Sequence, residues 1–381
     1  MNASSRSRNS QVTKTRREFL ESSLAVTAGG LLVPKFGFRT PSVPVTPASK
    51  ALKILILGGT GFIGPHMVRY AMYRGHEVTL FNRGKTNPNL FPGAEALTGD
   101  RDGKLDSLKG KKWDAVIDNS GYVPRHVRDS AALLKDNVGR YLFISTGSVY
   151  QANLERIDED SPLLPIADPK NEDVDKFYGP LKVLCEQAVR ETYGPRSTII
   201  RLHIVAGPGD TTDRFTYWPV RIDRGGEVIA PGDMANPVQT VDVRDVAEFT
   251  IHSLERETPG IFNAAGPTQD ELTMAEFLYG IRAITSARVG FTWVDEAFLA
   301  EKKVRFPMWI SYKGPARGAV HVSSQRGIAV GLKFRPLAVT ALDTLEWFKA
   351  EPLARQQQLK LELERDAALL TEWKARAKKG S

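Results

Sequence analysis

Leu52-Lys53-Ile54-Leu55-Ile56-Leu57-Gly58-Gly59-Thr60-Gly61-Phe62-Ile63-Gly64 is the stretch whose reading decides the fold. Its first half is an apolar run of strand length, and its second half is a glycine-rich turn opening a helix. In that arrangement backbone N–H groups can approach a pyrophosphate at a helix N-terminus. Farther along the chain stands Tyr178-Gly179-Pro180-Leu181-Lys182. A Tyr and a Lys four residues apart share one helix face, and an ammonium beneath the phenol would lower its pKa. Together, a dinucleotide cradle and an activated phenol imply hydride chemistry on an alcohol or carbonyl.

Working outward, apolar strands and helices alternate from Leu52 to His203. Strands are predicted at 52–57, 77–82, 94–98, 114–119, 141–145 and 197–203, and helices at 63–74, 124–136 and 175–193. Such alternation predicts an α/β fold, a doubly wound parallel Rossmann sheet covered on both faces. Beyond 207 the alternation fails. Gly207-Pro208-Gly209-Asp210, Gly225-Gly226, Pro231-Gly232-Asp233 and Gly266-Pro267 punctuate short segments. These predict a smaller C-terminal α/β lobe over the C-terminal edge of the sheet, where doubly wound folds bind ligands. Helices at 243–255 and 272–286, with a strand at 261–265 between them, are expected to return to the main sheet. Leu359, Leu363, Ala367, Leu370 and Trp373 have helical spacing, so one amphipathic helix is predicted over 352–379. It would pack on its own domain or, in a homodimer, on a second subunit. The divisions are 1–50, a signal and linker; 51–206, the dinucleotide-binding domain; 207–350, the substrate lobe; and 351–381, the C-terminal helix.

Gly58, Gly61 and Gly64 have the GxxGxxG spacing of short-chain dehydrogenase/reductases. From about Leu52 to Ala350 the chain resembles the extended branch of that superfamily, the NAD-dependent epimerase/dehydratase-like proteins. The resemblance makes Gly58, Thr60, Gly61, Phe62, Ile63 and Gly64 the candidate cofactor-binding turn. The second strand ends Phe81-Asn82-Arg83-Gly84-Lys85, where an NAD site usually carries a carboxylate for the ribose hydroxyl. Asn82 stands there and Arg83 follows, a pair that favours a 2′-phosphate. NADP is therefore the expected cofactor, with NAD the alternative. Asp100 matches the position that contacts the adenine edge, and reads equally as a cap of the turn Arg101-Asp102-Gly103. In Ser145-Thr146-Gly147-Ser148-Val149-Tyr150, alignment on Val149-Tyr150 implies that Thr146 holds the reacting oxygen. Ser145 and Ser148 are its neighbours and substitutes. Tyr178 is then the base, and Lys182 lowers its pKa and bonds the nicotinamide ribose. Both also count among the cofactor-binding residues.

Absences narrow the reaction. Family 4,6-dehydratases follow the Thr with an Asp-Glu pair, where this chain has Gly147-Ser148. The Cys and His of the 3,5-epimerase/reductase members are missing near Ser148 and Gly209. Oxidation/reduction or 4-epimerisation of a sugar-like substrate remains. Asp213-Arg214-Phe215-Thr216-Tyr217-Trp218 offers charged and aromatic groups for such a substrate, and reads equally as packing.

The chain carries 52 Lys/Arg against 44 Asp/Glu, but eight of the basic and only two of the acidic residues lie in 1–50. The rest is close to neutral, which argues against nucleic acid. Thr15-Arg16-Arg17-Glu18-Phe19-Leu20 resembles a twin-arginine export signal, followed by a weakly apolar stretch at 24–33 too short for a permanent membrane span. Export through that machinery to the periplasm is expected, with a cytoplasmic protein the alternative. Cys185, the single cysteine, excludes an intrachain disulfide and is expected in the helix–sheet interface. The six histidines show no metal-ligand spacing, so no metal is expected. One rival reading comes from Asn82-Arg83-Gly84 and Gly99-Asp100-Arg101, which also resemble the chloroplast stem-loop RNA-binding relatives of this fold. That reading implies an RNA-binding or scaffold protein.

Overall fold

The computed structural model describes residues 45–151, 154–166, 168–267, 272–311 and 317–377. The twin-arginine segment lies outside them. The strands are β1 Lys53–Leu57, β2 Glu77–Asn82, β3 Glu95–Thr98, β4 Trp113–Asp118, β5 Val138–Thr146, β6 Ser197–Leu202, β7 Val205–Ala206, β8 Gly226–Pro231, β9 Val241–Asp242, β10 Gly260–Ala264 and β11 Val289–Val294. The helices are α1 Gly64–Tyr73, α2 Pro124–Leu134, α3 Val174–Tyr193, α4 Tyr217–Asp223, α5 Val243–Glu255, α6 Met274–Arg282, α7 Glu296–Glu301, α8 Gln325–Ala329, α9 Leu337–Ala350, α10 Leu353–Gln356 and α11 Leu363–Ala377.

Seven strands form one parallel sheet in the order β10-β6-β5-β4-β1-β2-β3. The order reverses between β1 and β4, so the topological switch point lies at the glycine turn. Alternation along β1 explains the two faces. Ile54 and Ile56 join the core under α1 and α5, with Met67, Val68 and Val246. Leu55 and Leu57 point the other way, into the core with Val127, Cys185 and Val189 of α2 and α3. Each such fully buried Leu or Ile contributes about 1.5–3 kcal/mol. Cys185 sits where expected, between helix and sheet.

The chain leaves the sheet after β6, builds part of a second body, and returns as α5 and β10. It then leaves again. That body has its own core, with Phe215, Trp218, Ile229, Phe277 and Leu299. Its two-stranded parallel sheet pairs β8 with β11, and β7 pairs β9 nearer the main sheet. The sequence reading left β8, β11, α4 and α7 to α9 unplaced. The predicted final helix is two helices instead. Pro352 opens α10, and α11 starts only at Leu363, after Glu362 at φ +47°. Leu359 lies between them and still packs on the lobe core. Leu369 and Leu370 bury there too, so the end of the chain covers its own lobe.

Candidate active site

The glycine turn is shaped by close contacts. Gly58 has φ +90°, and a Cβ on it would lie 2.7 Å from the Ser120 Cβ. A Cβ on Gly64 would lie 2.6 Å from the Gly58 carbonyl oxygen, so α1 begins directly against the turn. No side chain caps the first turn of α1, and nothing lies within 4 Å of a Cβ built on Gly61. The turn therefore presents an open face beside uncapped helix N–H groups, which suits a pyrophosphate. Thr60 is buried, and its carbonyl oxygen accepts from Asn87 Nδ2 at 3.2 Å. Phe62 and Ile63 pack their side chains on the core, so their approach to a ligand is through the backbone. On α1, His66 Nε2 meets the Pro208 carbonyl oxygen at 2.9 Å, tying the turn to the loop after β6. Burial draws this imidazole down to about 4.

At the end of β2, Asn82 Oδ1 accepts from Gly84 N at 2.8 Å, so this oxygen closes a turn. Arg83 beside it is exposed and carries no ion pair among the described residues. Asp100 Oδ1 accepts from Asp102 N at 3.1 Å, the turn cap that was its second reading. It lies beyond β3, at the far edge of the sheet from Thr146.

Thr146 and Tyr178 come together. Thr146 ends β5 and accepts from Ser148 N at 3.2 Å. Ser148 Oγ accepts from Thr146 at 3.3 Å. Ser145, by contrast, points into the core and donates to Glu186. α3 is kinked at Phe177, with φ −121° and ψ 29°. Pro180 thereby falls in the first turn of a new helical segment, where its missing N–H costs nothing. Gly179 packs against the Ser148 carbonyl oxygen, which a Cβ would strike. That close approach brings Tyr178 beside Thr146, whose hydroxyl favours the phenolate. The Tyr122 ring stands 6.3 Å from the Tyr178 ring.

Lys182 departs from expectation. Its Nζ donates to the carbonyl oxygens of Gly121 at 2.8 Å and Ile144 at 2.6 Å. It is buried, which draws the ammonium down to about 8. Burial pushes the Tyr178 phenol up to about 12, opposed by Thr146 and the positive charge of Arg214. Lys182, whose ammonium donates to the two carbonyls, is not among the main influences on this phenol.

Three side-chain arrangements were not legible in the sequence. Asp118, at the end of β4, pairs with Arg101 and accepts from Tyr141 at 2.7 Å. Burial opposes its charge, yet Arg101 keeps it below the usual carboxylate range. Arg201 donates to Glu186 at 2.7, 3.0 and 3.2 Å and to Tyr150 at 2.9 Å, a buried network behind β5. An apolar strand ending in Asp was the only local signal for the first of these. The third is His203, whose ring lies against Gly147.

The stretch 213–218 divides by role. Phe215, Tyr217 and Trp218 are buried in the lobe core, and Asp213 pairs with Arg355. Only Arg214 is exposed and acts on Tyr178. Among the described residues no His/Cys/Asp/Glu group has the form of a metal site, and no helix is long and apolar enough to cross a membrane. A groove of about 620 Å³ lined by Lys53, Lys112, Trp113 and Arg196 opens at the opposite, N-terminal edge of the sheet. It takes no part in this site.

Known proteins agree with this architecture. Chloroplast stem-loop binding protein of 41 kDa b from Arabidopsis thaliana is 28% identical over 58% of this chain and 60% of its own length. The match thus spans under two thirds of that relative. The 2-alkyl-3-oxoalkanoate reductase of Stenotrophomonas maltophilia is 27% identical over 55% of this chain and 67% of its own. Among solved structures, the Bordetella bronchiseptica enzyme WbmG in complex with NAD and UDP superposes with a TM-score of 0.56. It is 18% identical, and the match covers 79% of this chain and 96% of that one. A human epimerase family protein with NADPH gives 0.53 at 22% identity, covering 77% and 99%. The sequence profile of the NAD dependent epimerase/dehydratase family matches residues 54–265, which carry the glycine turn, Thr146, Tyr178 and Lys182. The chain belongs to the NAD dependent epimerase/dehydratase family.

Proposed function

We propose that the protein is an NAD(P)-dependent oxidoreductase or epimerase acting at a hydroxyl or carbonyl carbon of a sugar-like substrate. The observation that carries it is the contact of Tyr178 with Thr146 at the same sheet edge as the open glycine turn. Gly58 to Gly64 would hold the pyrophosphate, and Arg83 the adenosine ribose with its 2′-phosphate. When bound, the dinucleotide supplies the hydride acceptor and a cationic ring that favours the phenolate. Thr146 orients the substrate oxygen, and Tyr178 removes its proton as the hydride leaves the carbon. Lys182, which gives two of its three N–H groups to Gly121 and Ile144, would offer the third to the ribose. Gly147-Ser148, in place of an acidic pair, supports simple redox or epimerisation over dehydration.

NADP is the proposed cofactor, supported by Asn82 and Arg83, with NAD second. Among the structural relatives, one is described with NADPH and others with NAD. Fluorescence titration with NADPH and NADH, with mass spectrometry of nucleotide co-purifying with the protein, tests the reading. Saturable binding is expected. No binding of either dinucleotide would overturn it.

RNA binding is the second reading, supported by the stem-loop binding relative. Steep, salt-dependent retention of stem-loop RNA in a filter-binding titration would favour it. Export is proposed from Arg16-Arg17 and the concentration of positive charge in 1–50. Changing both arginines to Lys is expected to strand the precursor in the cytoplasm, still able to bind nucleotide. Unchanged periplasmic yield would dismiss that route.

A further inference from the structure

His203 follows β6 at the C-terminal edge of the sheet, in the loop that leads to the lobe. Its backbone N–H donates to the Ala264 carbonyl oxygen at 3.1 Å. Pairing of Thr146 with Leu202 across β5 and β6 brings residue 203 level with Gly147. The ring fills the space a side chain at 147 would need, since a Cβ there would strike Nε2 and Cδ2. Nε2 is enclosed and has no hydrogen-bond partner among the described residues. An unpaired buried polar atom costs about 1–3 kcal/mol, and a partner brought to it from outside would relieve that cost.

The position says what brings it. A dinucleotide laid on this edge has its pyrophosphate over β1 and its reactive ring toward β5 and β6. The hydride must pass within about 3–3.5 Å of the carbon whose oxygen Thr146 and Tyr178 hold. The polar groups beside that carbon are the carboxamide on the nicotinamide ring and the oxygen on a neighbouring substrate carbon. Both are uncharged and can donate or accept. The His203 side chain is half-buried, and desolvation draws its imidazole down to about 4, which favours the neutral form. A neutral ring matches such a group and does not repel a cationic nicotinamide.

We propose that His203 is a further active-site residue, a hydrogen-bond partner for an uncharged amide or hydroxyl group of the bound reactants beside Thr146 and Tyr178. This rests on the dinucleotide reading above. The test compares wild type with His203→Phe and His203→Asn, each checked for an unchanged thermal melt. NADPH affinity is read against 2′-phospho-ADP-ribose, which lacks nicotinamide. NADPH-dependent reduction of cyclohexane-1,2-dione supplies a substrate oxygen next to the reacting carbon.

If the partner is the carboxamide, His203→Phe binds NADPH about 3- to 10-fold more weakly and 2′-phospho-ADP-ribose as before. If the partner is the substrate oxygen, NADPH affinity holds and KM for the dione rises by a similar factor. In both cases His203→Asn recovers part of the loss. A His203→Phe protein with wild-type NADPH affinity and a wild-type dione KM overturns the proposal, as does equal loss for both nucleotides. A wild-type protein that binds neither nucleotide fails at the cofactor reading itself, and His203 loses its role with it.

Discussion

Lys182 Nζ donates to the Ile144 carbonyl oxygen at 2.6 Å, two residues before Thr146 on the same strand. The bond joins the middle of α3 to the end of β5, and with Gly121 it satisfies a buried ammonium. The lysine therefore fixes where Tyr178 stands before it affects how Tyr178 ionises. Sequence spacing alone favoured the reverse emphasis.

Tyr178→Phe removes the ionisable oxygen and little else. Turnover is expected to fall about 10²–10⁴-fold while NADPH affinity stays near wild type. Steady-state rates beside a fluorescence titration check this. A variant retaining more than a small fraction of the activity would show that another group takes the proton.

Arg83→Ala is expected to weaken NADPH binding and leave NADH binding nearly unchanged. Arg83 is exposed and has no ion pair among the described residues, so its loss disturbs little packing. A guanidinium fits a 2′-phosphate bidentately. Equal loss for both dinucleotides, or tighter NADH binding by the native protein, would refute the 2′-phosphate assignment.

Glu186→Gln leaves Arg201 charged, buried and short of its main acceptor. Breaking a buried pair from one side typically costs about 3–5 kcal/mol. Urea unfolding should show that loss. The double change Glu186→Leu with Arg201→Met should lose far less than two single losses combined, because no unpaired charge remains. Additive losses would mean that the pair is not coupled as its geometry indicates.

Glu255 ties α5 to α1 and to the start of β2. It accepts from Arg74 at 2.8 Å and meets His76 and His252 at 2.9 Å each. Burial opposes its charge, but Arg74, then His252 and His76, draw it down from 4.5 to about 2. A carboxyl depressed on folding contributes stability above its unfolded pKa and loses it as pH falls toward the folded one. Urea midpoints should therefore drop between about pH 4.5 and 2, and Glu255→Gln should flatten that slope. An unchanged slope would place the acid sensitivity elsewhere.

Much of the body was legible because a parallel strand buried on both faces reads as a near-continuous apolar run. β1, β2 and β6 lie within a residue or two of their predicted bounds. The lobe was less legible because its short segments are set by packing between distant parts of the chain. Leu359 shows the trap: it packs on the lobe core from a turn, so helical spacing mimicked a helix. Phe215 and Trp218 show another, since an aromatic residue looks the same in sequence whether it lines a cleft or fills a core. The place of His203 beside Gly147 was not legible, because only strand pairing brings the two together.

The return of the chain as β10 has a consequence for cutting the molecule. β6 is an interior strand only because β10 covers its outer side. A chain ended after residue 206 would keep the glycine turn, Thr146, Tyr178 and Lys182, yet expose the length of β6 as a bare apolar edge. Such an edge invites other chains to pair with it. The dinucleotide half and the lobe are thus not separable modules, and the second half of the sequence guards the first against aggregation.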